Sequence, residues 1–99
     1  MHRKLTLRIT DQAERDLQDI WSYIARDSPD AADNFLRQIT IRFEPLRLAP
    51  NIGAKRDQLA PGLRVHLHRG YGIYYVFDEW ELIILRVVHG ARSVEDLFS

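Results

Sequence analysis

The sequence predicts an α+β domain, an antiparallel sheet with a helical hairpin packed on one side. Three observations carry that expectation. Residues 4–9 alternate between apolar and polar side chains. Residues 11–46 twice repeat apolar side chains at helical spacing. Three further strand patterns come after residue 62. The predicted order is β-α-α-β-β-β with a short C-terminal helix, and residues 1–99 read as one domain.

Each element has its own signal. Leu5, Leu7 and Ile9 alternate with Lys4, Thr6 and Arg8, which describes a half-buried strand. Thr10 and Asp11 are both suited to cap a helix that starts there. Ala13, Leu17, Ile20, Trp21 and Ile24 then give an amphipathic helix over 11–26. Ser28 is a good N-cap and Pro29 fits the first position of a second helix. That helix carries Ala32, Phe35, Leu36, Ile39, Phe43 and Leu46, and Pro45 predicts a kink or frayed turn near Glu44. Residues 49–62, with Pro50, Gly53, Pro61 and Gly62, read as a loop.

The sheet signals are denser. Leu63, Val65 and Leu67 alternate with Arg64, His66 and His68, the polar set predicting a solvent-facing side. Ile73, Tyr75 and Phe77 alternate with Tyr74 and Val76, so Tyr75 is expected in the core and Tyr74 at the surface or an interface. Residues 78–81 form a turn in which Trp80 has no evident core role. Residues 82–88 are apolar in both phases, which suits a central strand covered on both faces.

Composition narrows the function. The chain has 45% hydrophobic and 28% charged residues, the balance of a globular domain. It has no cysteine, so disulfides and thiolate metal sites are excluded and a reducing cytoplasm is the expected location. Neither a signal-peptide pattern nor a membrane-length apolar run is present, so no membrane partner is expected. The formal net charge is +0, without the basic excess typical of proteins that grip nucleic acid or a ribosome. The first third is acidic and the basic residues come later, so a local basic face is still compatible with this balance.

Several local motifs resemble the ParE-type toxins of the RelE/ParE superfamily. They are Ala13-Glu14-Arg15-Asp16-Leu17 with Ile20 and Tyr23, then Ala32 and Phe35, then Pro50-x-x-Gly53. Tyr71-Gly72-Ile73-Tyr74-Tyr75 and Val88-His89-Gly90-x-Arg92 complete the set. Each motif is short, but their order and spacing cover nearly the whole chain. The resemblance implies a RelE/ParE-like fold and a toxin neutralised by a cognate ParD-like antitoxin encoded beside it. Operator DNA would be met only indirectly, through the antitoxin. ParE-type members inhibit DNA gyrase by binding, whereas RelE-type members cut mRNA on the ribosome. The RNA-cutting relatives place a proton-moving aromatic near the C-terminal tail. Here that position is Phe98, which has no ionisable group. The expectation is therefore a gyrase-binding toxin with no catalytic residues and no cofactor. The alternative is a ribosome-dependent mRNA interferase, for which Arg64, Arg69, Tyr74, His89 and Arg92 would be the catalytic set.

The candidate target contacts are Arg92, His89, Arg64, Arg69 and Arg56. Arg92 stands where the family places an arginine. The bland reading of each is a solvated or locally paired side chain. The candidate antitoxin contacts are Trp21, Tyr23, Tyr74 and Trp80, because exposed aromatics are enriched at interfaces. His66 and His68 stand two apart on a strand and can share an ion in principle, but no third ligand comes from the sequence, so no metal site is expected. The acidic face of the first helix reads as plain solvation.

Overall fold

Thr10 closes the first strand and opens the first helix. The computed structural model describes residues 4–90 and 94–98. Strand β1 spans Thr6–Ile9. Thr10 is extended, and its Oγ1 accepts a hydrogen bond from the Ala13 N–H at 3.1 Å. The same hydroxyl donates to the Leu85 carbonyl at 3.1 Å, so the cap also fastens the helix start to the sheet. Helix α1 spans Asp11–Ala25 and buries Ala13, Asp16, Leu17 and Ile20. Ser28 then caps α2, Pro29–Ile41, by accepting from the Ala31 N–H. Both caps fall where the sequence places them.

The second helix breaks earlier than expected. Helix α2 ends at Ile41, Arg42 is a turn residue, and α3 spans Phe43–Leu48. Pro45 has no N–H to offer the Ile41 carbonyl, and its ring crowds that carbonyl one turn back. The interruption therefore falls at Arg42, three residues before the proline, and Pro45 itself sits in the first turn of α3 where its missing donor costs nothing.

A 3₁₀ turn at Pro50–Ile52 leads to a two-residue strand β2, Ala54–Lys55, inside the segment expected to be loop. Strands β3 (Arg64–His68), β4 (Tyr71–Phe77) and β5 (Glu81–His89) form the expected antiparallel meander. The sheet order is β1-β5-β4-β3-β2, and β1 runs parallel to β5, Thr6 opposite Glu81. The sheet is thus mixed rather than purely antiparallel. The chain from α1 to β4 acts as the crossover that returns β5 in the direction of β1.

Both hairpin turns have a local cause. Arg69 and Gly70 both have positive φ, 49° and 84°, which makes the β3–β4 connection a two-residue primed turn. At the β4–β5 turn, Asp78 Oδ1 accepts from the Trp80 and Glu81 N–H groups at 2.8 Å each. Those bonds hold the Asp78 carboxyl below the usual carboxylate range. A register shift between Tyr74 and Tyr75 leaves Leu85 unpaired with β4, and the carbonyls of Ile84 and Leu85 are met instead by the backbone and side chain of Thr10.

The sheet has apolar clusters on both faces. The larger lies under the helices and joins Leu17, Ile20, Ile39, Phe43, Tyr75 and Ile84 with their neighbours. Phe35, expected in this core, is only partly buried and packs against it. The smaller cluster contains Leu63, Val65, Tyr74 and Val88, with Val94, Leu97 and Phe98 packed on it. Among the described residues the expected C-terminal helix is a single 3₁₀ turn, Glu95–Leu97. Two apolar faces change the meaning of the β3 alternation. Val65 belongs to the smaller cluster, while His68 packs towards α2 against Phe35. The Arg64, His66 and His68 side is therefore turned towards the helical layer, not solvent, and His68 is buried.

Candidate functional site

A groove opens where α1, α2 and the end of β1 meet. Ile9, Leu17, Trp21 and Leu36 form its apolar walls, and Glu14, Gln18, Ser22 and Thr40 complete its lining. Its volume is about 560 Å³. Trp21 keeps 36% of its surface exposed, with its indole N–H donated to Asp33 Oδ1 at 2.7 Å. The hydrogen bond fixes the ring across the helical hairpin while one face stays open. An apolar trough with a polar lining and a fixed aromatic is suited to an amphipathic segment of another chain.

A second recess lies at the end of β5. Tyr23 from α1, Tyr71 from β4 and His89 from β5 line it, with Asp16 and Asp19 close by. The Tyr71 and His89 rings meet edge to face at 5.2 Å. Burial, and then the neighbouring Tyr23, push the Tyr71 phenol up, so it stays protonated at neutral pH.

Two further constellations are structural. Asp16 and Arg86 form a bidentate pair at 2.8 and 2.9 Å, and Asp16 also accepts from the Val87 N–H at 2.9 Å and Gln12 at 3.3 Å. Hydrogen bonding to this carboxylate pushes the guanidinium pKa further up. The pair locks α1 to β5. At the other end of the sheet, the Tyr75 hydroxyl donates to the Pro50 carbonyl at 2.6 Å and accepts from the Gly53 N–H at 2.9 Å. Arg64 donates to the Asn51 and Gly53 carbonyls at 3.0 and 2.8 Å. Together they hold the segment Pro50–Gly53 against β3 and β4.

The sequence-based candidates do not form single patches. Arg69 and His89 lie near each other, because Gly90 N–H donates to the Gly70 carbonyl and Tyr71 pairs with His89. Arg64 and Arg56 are at the opposite end of β3, Arg64 engaged by the loop and Arg56 bonded to the Lys55 carbonyl. Arg92 lies outside the described residues. Of the aromatics, Trp21 lines the groove and Tyr23 the recess. Trp80 is exposed on the β4–β5 turn, away from both. Tyr74 is not a surface residue: it is 7% exposed and lies beneath Phe98, ring centres 5.3 Å apart. Burial pushes its phenol up as well. Among the described residues no group of three His, Asp or Glu side chains is placed to hold a metal.

Alternation alone misplaces His68. Its Nδ1 accepts from Arg42 Nε at 3.3 Å, so Nε2 carries the proton. Burial first, and the Arg42 charge second, hold both His66 and His68 below their ordinary value of 6.5. The folded state favours neutral imidazoles, so the sign is that of a depressed base. Their contribution is complete above about pH 6.5 and is lost as pH falls below it through the folded value. Melting temperature should therefore drop on acidification across that window, and a His66→Gln/His68→Gln variant should show a flatter profile. Parallel profiles would remove these histidines from the acid response.

The fold and the groove together describe a small single-sheet domain with an open apolar groove between its two long helices. A family model for the ParE toxin of the type II parDE toxin–antitoxin system matches residues 7–94. The chain belongs to that family, the toxin side of type II toxin–antitoxin systems. Among solved structures it is similar to a chain of the chromosomal ParDE system from P. aeruginosa, with 28% identity and a TM-score of 0.74 over 87% of this chain and 96% of that one. A chain of the RelBE2 toxin–antitoxin complex from Mycobacterium tuberculosis shares the fold, with 24% identity and a TM-score of 0.60 over 88% and 99% of the two chains. No curated protein sequence matches the chain. No described helix is long and apolar enough to cross a membrane.

Proposed function

We propose that the chain acts by binding, without chemistry of its own, as an inhibitor of DNA gyrase, and that a cognate ParD-like antitoxin neutralises it by laying an amphipathic segment into the Trp21 groove. The groove of Ile9, Leu17, Trp21 and Leu36 is the observation that carries the antitoxin part. Family membership and solved neighbours drawn from toxin–antitoxin systems support the same partner. The gyrase part rests on the family and on what lies over the sheet face opposite the helices. That face carries Leu63, Val65, Tyr74 and Val88 with Phe98 packed on it, an apolar surface poorly suited to moving protons during RNA cleavage. The chain has no overall basic excess for holding RNA on a ribosome.

The test uses the purified chain in two assays. Gyrase supercoiling should be inhibited, while mRNA in a ribosome-bound assay stays intact; toxin-dependent cuts with normal supercoiling would reverse the reading in favour of an interferase. Antitoxin binding should raise the melting temperature by mass action. Trp21→Ala should weaken the antitoxin by about 2 kcal/mol, roughly 30-fold in Kd, as expected for a partly exposed aromatic anchor. Unchanged affinity would move the antitoxin off the hairpin groove.

A further inference from the structure

We propose that Arg42, His68 and Arg69 form a binding site for a phosphate group. The site lies on the helical side of the sheet, where the α2–α3 break meets the β3–β4 turn. Gln38, Ile41, Arg42, His68 and Arg69 line a cavity there of about 280 Å³, room for a phosphate and part of whatever carries it.

The cluster is rich in donors and short of acceptors. Arg42 gives one N–H to His68 Nδ1, which consumes the only acceptor the imidazole has. The remaining ring nitrogen, Nε2, is buried and has no hydrogen-bond partner among the described residues. His68 itself is 9% exposed. A buried donor left unmet costs roughly 1–3 kcal/mol, so such a group in a folded protein calls for a physical reason. No carboxylate lies within ion-pair distance of Arg42 or Arg69 among the described residues, whereas Glu44 pairs with Lys4 and Arg47, and Glu81 with Arg8. Positive charge has been gathered at one corner and left without a counter-charge.

The backbone adds a second, independent sign. Arg69 is the one described non-glycine residue with positive φ. Asparagine or glycine would hold this turn with less strain. Strain of this kind is retained where a particular side chain must project from a particular turn.

Three donor-bearing groups come from three separate elements: the end of α2, strand β3 and the β3–β4 turn. A tetrahedral oxyanion offers oxygens in several directions and suits that arrangement better than a planar carboxylate, which is met best by one guanidinium fork. The phosphate is either free or part of a nucleic-acid backbone, and the experiment separates the two. The site shares no lining residue with the Trp21 groove, so it stands or falls apart from the antitoxin reading.

The experiment follows the His68 ring by NMR in the full chain while inorganic phosphate, a short DNA duplex or a glutamate-rich peptide is added at constant ionic strength. Arg69→Asn is the comparison variant, because asparagine tolerates the turn and removes the guanidinium. Inorganic phosphate should shift the His68 resonance saturably in the wild type, and Arg69→Asn should bind about ten times more weakly with a melting temperature no lower than that of the wild type. A duplex that gives the same shift identifies the source as a phosphodiester backbone; a duplex that does not identifies a free phosphate. The proposal is overturned if phosphate gives no saturable shift, if Arg69→Asn responds like the wild type, or if only the peptide moves the resonance. The last result would assign the corner to a partner's carboxylates.

Discussion

Asp16→Ala should remove about 3–5 kcal/mol of folding stability, the range expected when one partner of a buried ion pair is deleted. Asp16 is 5% exposed and Arg86 keeps only 13% of its side chain in water. Removing the carboxylate strands a guanidinium beside the apolar Val87 and also leaves the Val87 N–H without its acceptor. A domain of this size has a margin of roughly 5–15 kcal/mol, so the loss is a large part of it. Replacing both partners should be far milder. Asp16→Leu with Arg86→Met takes out both charges together, and well-packed apolar replacements of buried pairs are often neutral. Denaturant unfolding of Asp16→Leu, Arg86→Met and the double variant completes the cycle. A single Asp16→Ala variant within about 0.5 kcal/mol of wild type, the ordinary range for a surface change, would show that the pair carries little.

Gly53→Ala should cost about 2–5 kcal/mol, from overpacking together with a broken buried hydrogen bond. A Cβ at this position would sit 2.3 Å from the Tyr75 hydroxyl and 2.8–2.9 Å from two of its ring carbons. Tyr75 is fully buried, so the ring has nowhere to retreat. The hydroxyl would lose its bonds to Gly53 and Pro50 as the loop moved away. Tyr75→Phe removes the closest clash but leaves the ring carbons, so the double variant should recover part of the loss and not all of it. Full additivity of the two changes would mean that the loop and Tyr75 are not coupled as the geometry indicates.

Much of the fold is legible in the sequence because its signals are periodic. The meander and most of the core come from spacing, as the Ile73–Tyr75–Phe77 phase illustrates, and the two helix caps from the residue types Thr10 and Ser28. The features that escape such a reading lack periodicity. Strand β2 is two residues long and has no alternation to read. The parallel pairing of β1 with β5 depends on the path of the whole chain. The orientation of Arg64, His66 and His68 comes out inverted because both sheet faces are apolar, so alternation shows two sides without saying which meets the helices. The Asp16–Arg86 pair does leave a trace. Asp16 lies in the buried stripe between Ala13 and Ile20, and Arg86 interrupts an otherwise apolar strand. A charge in each of two buried elements asks for the other. For the candidate site, Trp21 and Tyr23 stand out as exposed aromatics, but the groove and recess they line belong to tertiary packing, and Arg42 has no sequence signal at all.

The pairing of β1 with β5 has a consequence for how the molecule is made. Its first strand, Thr6–Ile9, finds its neighbour only at Glu81–Ile84, far along the sequence. A ribosome therefore releases the seventy or so residues between them before the sheet can close, and the helical hairpin waits with its apolar face uncovered. A chain ending at Asp78 should show no cooperative melt, because it lacks the strand that both β1 and α1 pack upon.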